Sequence, residues 1–202
     1  MSGFPSPFGG SNDSSELFDE YDAFVPDHIP SPGWFLDGHD LLSDDEHIRV
    51  HKMTIEIFDD RGVYDMTFGY NLARLNLDTR HPDAGYRYAE EADDSSVLRA
   101  EFTPTTPFCP QSDTLTKGSF RAWNDLRDRH EYDIVRVRVA EMHQRSDEIN
   151  SALEALEENY LETGSVTHVA KPSHETTEPA GKSGCSDDAG TTSRGYGPDA
   201  PF

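Results

Sequence analysis

Lysine is scarce in this 202-residue chain: Lys52, Lys117, Lys171 and Lys182 are all it has. Seventeen basic residues face thirty-nine acidic ones, for a formal charge of −22. Nucleic acid is disfavoured as a direct ligand, because its affinity comes largely from Lys and Arg on phosphates. An acidic membrane surface is disfavoured for the same reason. No run approaches the roughly 20 apolar residues of a membrane span. The opening Met1-Ser2-Gly3-Phe4-Pro5-Ser6-Pro7 carries neither a basic nor an apolar signal region, so the expected location is cytoplasmic. Cysteine is also rare. Cys109 and Cys185 are too few for a disulfide framework, and Cys185 lies in a Gly/Ser-rich stretch.

The apolar fraction, 34%, is below the usual ~45–50%, which predicts a modest core and much unpacked chain. Acids also crowd the periodic segments, as Asp147, Glu148, Glu154, Glu157 and Glu158 do. Such self-repulsion is tolerable where salt screens it, which suggests a salt-adapted, halophile-like cytoplasm.

Residues 1–46, rich in Pro, Gly, Ser and Asp with scattered aromatics, read as an irregular, disordered acidic arm. Residues 47–162 read as one α/β domain and residues 163–202 as a disordered tail. Gly181-Lys182-Ser183 lacks the first glycine of a phosphate loop.

Within the domain, Met53, Ile55 and Ile57 alternate with polar residues, predicting a strand over 48–58. Asp59-Asp60-Arg61-Gly62 is turn chemistry, and Val63 to Tyr70 is expected to pair back as a hairpin. Residues 78–96 read as a polar loop or insertion. Val97 to Thr103 and Ile134 to Val139 alternate as strands. Pro110 to Arg129, and a segment opening at Ser146, carry helical stripes. The order β-β-β-α-β-α predicts an α+β fold, one small domain with a mixed sheet and two helices packed on it.

Cys109 lies between a strand and a helix. With Pro110 at the first helical position, Cys109 becomes the N-cap, facing free N–H groups and the positive end of the helix dipole. That setting favours the thiolate, which is both nucleophile and metal ligand. The plain alternative is a buried, inert cysteine. His47 and His51, with Asp44 and Asp45, have metal-like chemistry, but on a strand they lie far apart and are expected in solvent. Asp59 and Asp60 serve the turn better than an acid/base pair.

The segment Phe102-Thr103-Pro104-Thr105, followed by Pro107 and Cys109, resembles the core motif of the MIP-type iron–sulfur assembly family. That family includes the bacterial SufT and PaaD proteins. Cys109-Pro110, four residues after Thr105, resembles its prokaryotic Thr-x-x-x-Cys-Pro form. The resemblance continues through His143, seven residues before Asn150, and into Leu153 and Ala155-Leu156-Glu157. Upstream, Gly62-Val63-Tyr64-Asp65 resembles the family's Gly-Leu-Val-Tyr-Asp. It covers residues 97–160 well and 55–70 weakly. The family's Asp-Pro-Glu motif is not evident, the interval from Asp65 to Thr105 is long, and a strand is expected before Asp59 where the family commonly has a helix.

The resemblance implies a non-catalytic iron–sulfur assembly or metal–sulfur trafficking factor acting through Cys109, with Thr105, Pro107, Pro110 and Asn150 supporting the motif. Its cargo or cofactor would be an iron–sulfur cluster or a single metal ion, and its partners iron–sulfur client or assembly proteins. One cysteine cannot hold a cluster that usually needs four protein ligands. A homodimer sharing the cluster, a second ligand such as His143, or client recruitment are the alternatives. For His143 the plain reading is a polar residue of the strand–helix loop. Two other functions compete: a protein-interaction module without metal chemistry, and a thiol enzyme with Cys109 as nucleophile and His143 as base.

Overall fold

The computed structural model describes residues 17–166. Its fold is α+β: a mixed four-stranded sheet, a two-stranded ribbon and packed helices. The elements run β1 (Asp40–Leu41), α1 (Asp44–Arg61), β2 (Tyr64–Asp65), β3 (Tyr70–Asn71), β4 (Gly85–Glu91), β5 (Asp94–Thr103), α2 (Ser112–Asp125), β6 (Ile134–Val139) and α3 (Ser146–Thr163). The sheet order is β1-β4-β5-β6; β4 and β5 form an antiparallel hairpin, and β5 runs parallel to β6. A parallel pair needs a crossover, and α2 supplies it.

Residues 48–58, expected as a strand, are helical. His47, Val50, His51, Thr54, Ile55 and Phe58 are buried at i, i+3, i+4 spacing, one stripe of a 3.6-residue period. The apparent alternation over Met53–Ile57 is a short sample of that stripe. Asp44, Asp45 and Glu46 sit in the first turn, where carboxylates favour the dipole. Gly62 closes the helix with φ 67° and its N–H on the Phe58 carbonyl, so the turn expected over Asp59–Gly62 is the last turn and cap of a helix. The expected hairpin is replaced by the ribbon of β2 and β3 alone.

Residues 78–96, expected as a loop, hold β4 and the start of β5. Tyr86 and Tyr88 are fully buried, and their hydroxyls meet Ser119 of α2 at 2.6 Å and Thr54 of α1 at 2.8 Å. The strands over 97–103 and 134–139 and the two later helices are where the periodicity placed them. Leu98, Ala100, Phe102, Val135, Val137 and Val139 join Phe120, Trp123, Ile149 and Leu153 in the main core.

The described part of the expected arm is folded against the domain. Phe35, Leu36 and Ala89 make a second buried cluster. The Phe35 ring lies 4.6 Å from the Arg99 guanidinium and 5.2 Å from that of Arg138. Glu101 accepts the Gly33 N–H at 2.6 Å and the Phe35 N–H at 3.3 Å. Residues 29–39 therefore strap the charged face of the sheet. Residues 1–16, and those from 167 on, including Cys185, lie outside the described residues.

Candidate functional site

Strands β5 and β6 are parallel, so the loops leaving their carboxyl ends emerge side by side. The first is the Pro104–Gln111 turn into α2; the second joins β6 to α3. Main-chain hydrogen bonds fasten them: Ala140 N–H to Phe102 O at 2.9 Å and Gln144 N–H to Pro107 O at 2.9 Å. Crevices at the carboxyl ends of parallel strands are where α/β sheets commonly take ligands. Here a cavity of about 260 Å³ opens, lined by Phe108, Cys109, Pro110, Asp113, His143 and Arg145 among others.

Cys109 is part-exposed in that cavity. It is not the N-cap. Helix α2 begins at Ser112, and Gln111 holds the cap position in αR geometry with no side-chain cap hydrogen bond. The Cys-Pro pair forms a turn of its own instead: Cys109 N–H donates to Thr106 O and Ser112 N–H to Cys109 O, each at 3.3 Å. The expected direct contact of sulfur with free helical N–H groups is absent, because one of those groups is already occupied by the cysteine's own carbonyl. Pro107 and Pro110 border the cavity, and Thr105 is part-buried in the same turn without lining it.

His143 reaches the same turn, through the backbone. Its Nδ1 accepts the Arg145 N–H at 3.2 Å, which fixes the tautomer as Nε2–H, and Nε2 donates to the Cys109 carbonyl at 3.0 Å. The buried ring therefore clasps the cysteine turn, with both nitrogens engaged. Asn150 is a structural residue: its amide brackets Val139 on β6. Asp113 is paired with Lys117 at 2.6 Å.

Nothing in the sequence marks Gln111, yet it ties the cysteine turn to the β2–β3 ribbon. Its Oε1 accepts the Met66 N–H at 3.2 Å and its Nε2 donates to Thr67 Oγ1 at 2.7 Å. No local pattern marks such a residue, since its partners lie more than forty positions away. The ribbon and the turn leave Met66 and Phe108 largely exposed, at 82% and 65%.

The other candidates fall elsewhere. His47 and His51, expected in solvent, are buried on α1 with their rings stacked at 6.1 Å. Burial, with smaller contributions from His51 and Arg87, pushes His47 down to about 3. Burial also pushes His51 down, against the opposing effect of its hydrogen bond to Ala73 O. Asp59 accepts from Tyr64 and Asn71, and Asp60 pairs with Arg129. Among the described residues, no group of three or more His, Cys, Asp or Glu side chains is placed to hold a metal ion. Among them too, no helix is long and apolar enough to cross a membrane.

A family model described as "Domain of unknown function (DUF7998)" matches residues 16–167. The chain belongs to this family. The matched span takes in the strap over 29–39, in keeping with its packing as part of the domain rather than as an appendage. No curated protein and no solved structure matches the chain significantly.

Proposed function

We propose that the protein is a non-catalytic, cytoplasmic factor of iron–sulfur assembly or metal–sulfur trafficking that takes its cargo on Cys109. The observation that carries this reading is a part-exposed thiol in a turn pinned from both sides, facing a cavity at the carboxyl ends of two parallel strands. Thiolates suit zinc, copper(I) and iron–sulfur species. The motif that resembles the MIP-type family, Thr105 to Pro110, lies at that turn. The helix over Asp44–Arg61 adds support, because that family commonly has a helix at this place.

The donor set fits a passing cargo better than a resident cluster. His143 and Asp113 border the cavity, but the first is engaged at both nitrogens and the second is ion-paired. Among the residues that line the cavity Cys109 is then the single soft donor, and the remaining ligands come from a second copy or from the client. Met66 and Phe108, exposed beside the turn, offer apolar surface for either. The thiol-enzyme reading has less support, since His143 is committed to backbone partners. An interaction module built on an aromatic arm also has less, since Phe35 packs on its own domain.

The test is anaerobic reconstitution with iron and sulfide, comparing the chain with Cys109→Ala, both carrying Cys185→Ser. Cluster absorbance that depends on Cys109, and client maturation in cells that fails with Cys109→Ala, are expected. Absence of absorbance in both chains together with intact client maturation would end the reading.

A further inference from the structure

Arg121 stands apart on this charge-crowded surface. Every other solvent-reachable lysine or arginine of the described residues meets a carboxylate or an aromatic ring. Arg121, part-buried on α2, has neither. Its natural i, i+4 partner is Asp125, and Arg61 at the end of α1 has taken that carboxylate. Among the described residues of a chain with thirty-nine acids, one solvent-reachable guanidinium thus stays open.

That guanidinium belongs to a groove of about 480 Å³ between α2 and the α1–β2 turn. Val63, Leu115, Gly118 and Ala122 give it an apolar floor. Gly118 lies in the middle of α2, where glycine weakens a helix relative to alanine. Packing within the chain does not demand it: a Cβ there would meet only Val63, at 3.9 Å, an ordinary contact. The missing side chain keeps the floor of the groove open.

We propose that this groove docks an extended segment of a partner protein, in which a carboxylate flanked by small aliphatic side chains is held by Arg121. Two guanidiniums against the single Asp125 leave the groove cationic in a strongly anionic molecule. The planar fork of arginine suits a carboxylate in bidentate fashion. The groove is open to solvent, so it does not enclose a small molecule on most sides as a typical ligand pocket does; a segment needs only one face covered. The proposal is independent of the chemistry at Cys109.

The experiment is a titration of the full chain followed by amide NMR, with the capped tripeptide acetyl-Val-Glu-Val-amide and its Gln counterpart as probes. Saturable shifts are expected at Gly62, Gly118 and Arg121 with the Glu peptide. The Gln peptide should bind roughly fivefold more weakly, the upper scale of one exposed charge pair. Arg121→Gln, which breaks no hydrogen bond or ion pair of the described residues, should produce the same loss, and Gly118→Leu should block the floor. No saturation, equal binding of the two peptides, or indifference to Arg121→Gln would each overturn the proposal. So would groove amides that shift, without peptide, when residues 167–202 are deleted, because the occupant would then be the chain's own tail.

Discussion

The Asn150 side chain takes both main-chain hydrogen bonds of Val139, with Oδ1 accepting from the N–H at 2.8 Å and Nδ2 donating to the carbonyl at 3.0 Å. Asn124 of α2 does the same for Val135, at 2.9 Å in each direction. Asn76 repeats it for Tyr86 on β4, at 2.7 Å each way. β6 is an edge strand, and β4 is paired with β1 only at Ala89 and Glu90. Each asparagine therefore supplies the ladder partner that a neighbouring strand would have supplied. At these positions the edge offers no free ladder groups to another chain.

Replacing Asn150 by alanine leaves the Val139 N–H and C=O without partners, and Val139 is fully buried. A loss of about 2–4 kcal/mol in unfolding free energy is expected, since each orphaned buried group costs roughly 1–3 kcal/mol. Asn150→Asp keeps the acceptor and loses the donor, so it should fall between. Urea melts of the three chains measure this. A loss within ~0.5 kcal/mol for Asn150→Ala would mean that solvent reaches the strand end.

His143 separates two mechanisms by the sign of one effect. As a clasp on the Cys109 carbonyl, its removal loosens the turn and opens the sulfur to solvent. As a base for the thiol, its removal leaves less thiolate. In a Cys185→Ser background, His143→Ala should therefore raise the rate of Cys109 labelling by a neutral disulfide reagent near pH 7. The same variant should cost about 1–3 kcal/mol of stability from the broken buried hydrogen bonds. A slower labelling rate in a chain that remains folded would favour the thiol-enzyme reading.

The second half of the domain was legible because its signals are local. Val135, Val137 and Val139 alternate, Leu115 and Ala122 recur at helical spacing, and the turn holding Cys109 separates a strand from a helix. The first half was less legible because five alternating residues from Met53 to Ile57 do not distinguish a period of two from one of 3.6. Ser43 and Gly62, bracketing eighteen residues, were the better guide. In β4, Tyr86 and Tyr88 alternate with Arg87 behind a polar approach, so the strand passed for loop. Two features had no local trace at all. The start of α2 depends on the Cys-Pro turn consuming the Ser112 N–H, and the strap depends on Glu101, sixty-eight positions from Gly33.

The buried histidines of α1 predict an acid-sensitive fold. His47 packs against Phe24, Tyr88 and His51, with Arg87 as a further cation, and burial is the main force holding it neutral. Its folded value, about 3, is below the unfolded value near 6.5, so protons bind the unfolded chain more readily. The stabilising difference is fully present above about 6.5 and is lost as pH falls from there toward about 3. The slope approaches roughly 1.4 kcal/mol per pH unit below the unfolded value for this one group. His47→Gln should be less stable at pH 7, through lost ring packing, and should show a shallower decline between pH 6 and 4. Parallel declines in the two chains would assign the acid sensitivity to other groups.

The strap depends on a site where no side chain fits. A Cβ at Gly33 would come within 2.6 Å of the Glu101 carboxylate, which the Gly33 and Phe35 N–H groups hold in place. Arg87 stands directly across the ladder from Glu101, yet the carboxylate is turned to the strap, and burial pushes its carboxyl up. Gly33→Ala must displace the strap or the carboxylate, costing about 1–3 kcal/mol, the usual scale for overpacking. Glu101→Gln keeps the size of the side chain and removes the charge that strengthens both N–H bonds. It should cost less and should speed amide hydrogen exchange at Gly33 and Phe35, leaving exchange at Val135 and Val137 unchanged. If Gly33→Ala is as stable as the parent chain and the strap amides exchange no faster in either variant, the strap is held by Phe35 and Leu36 packing alone, and the Glu101 contact contributes nothing to it.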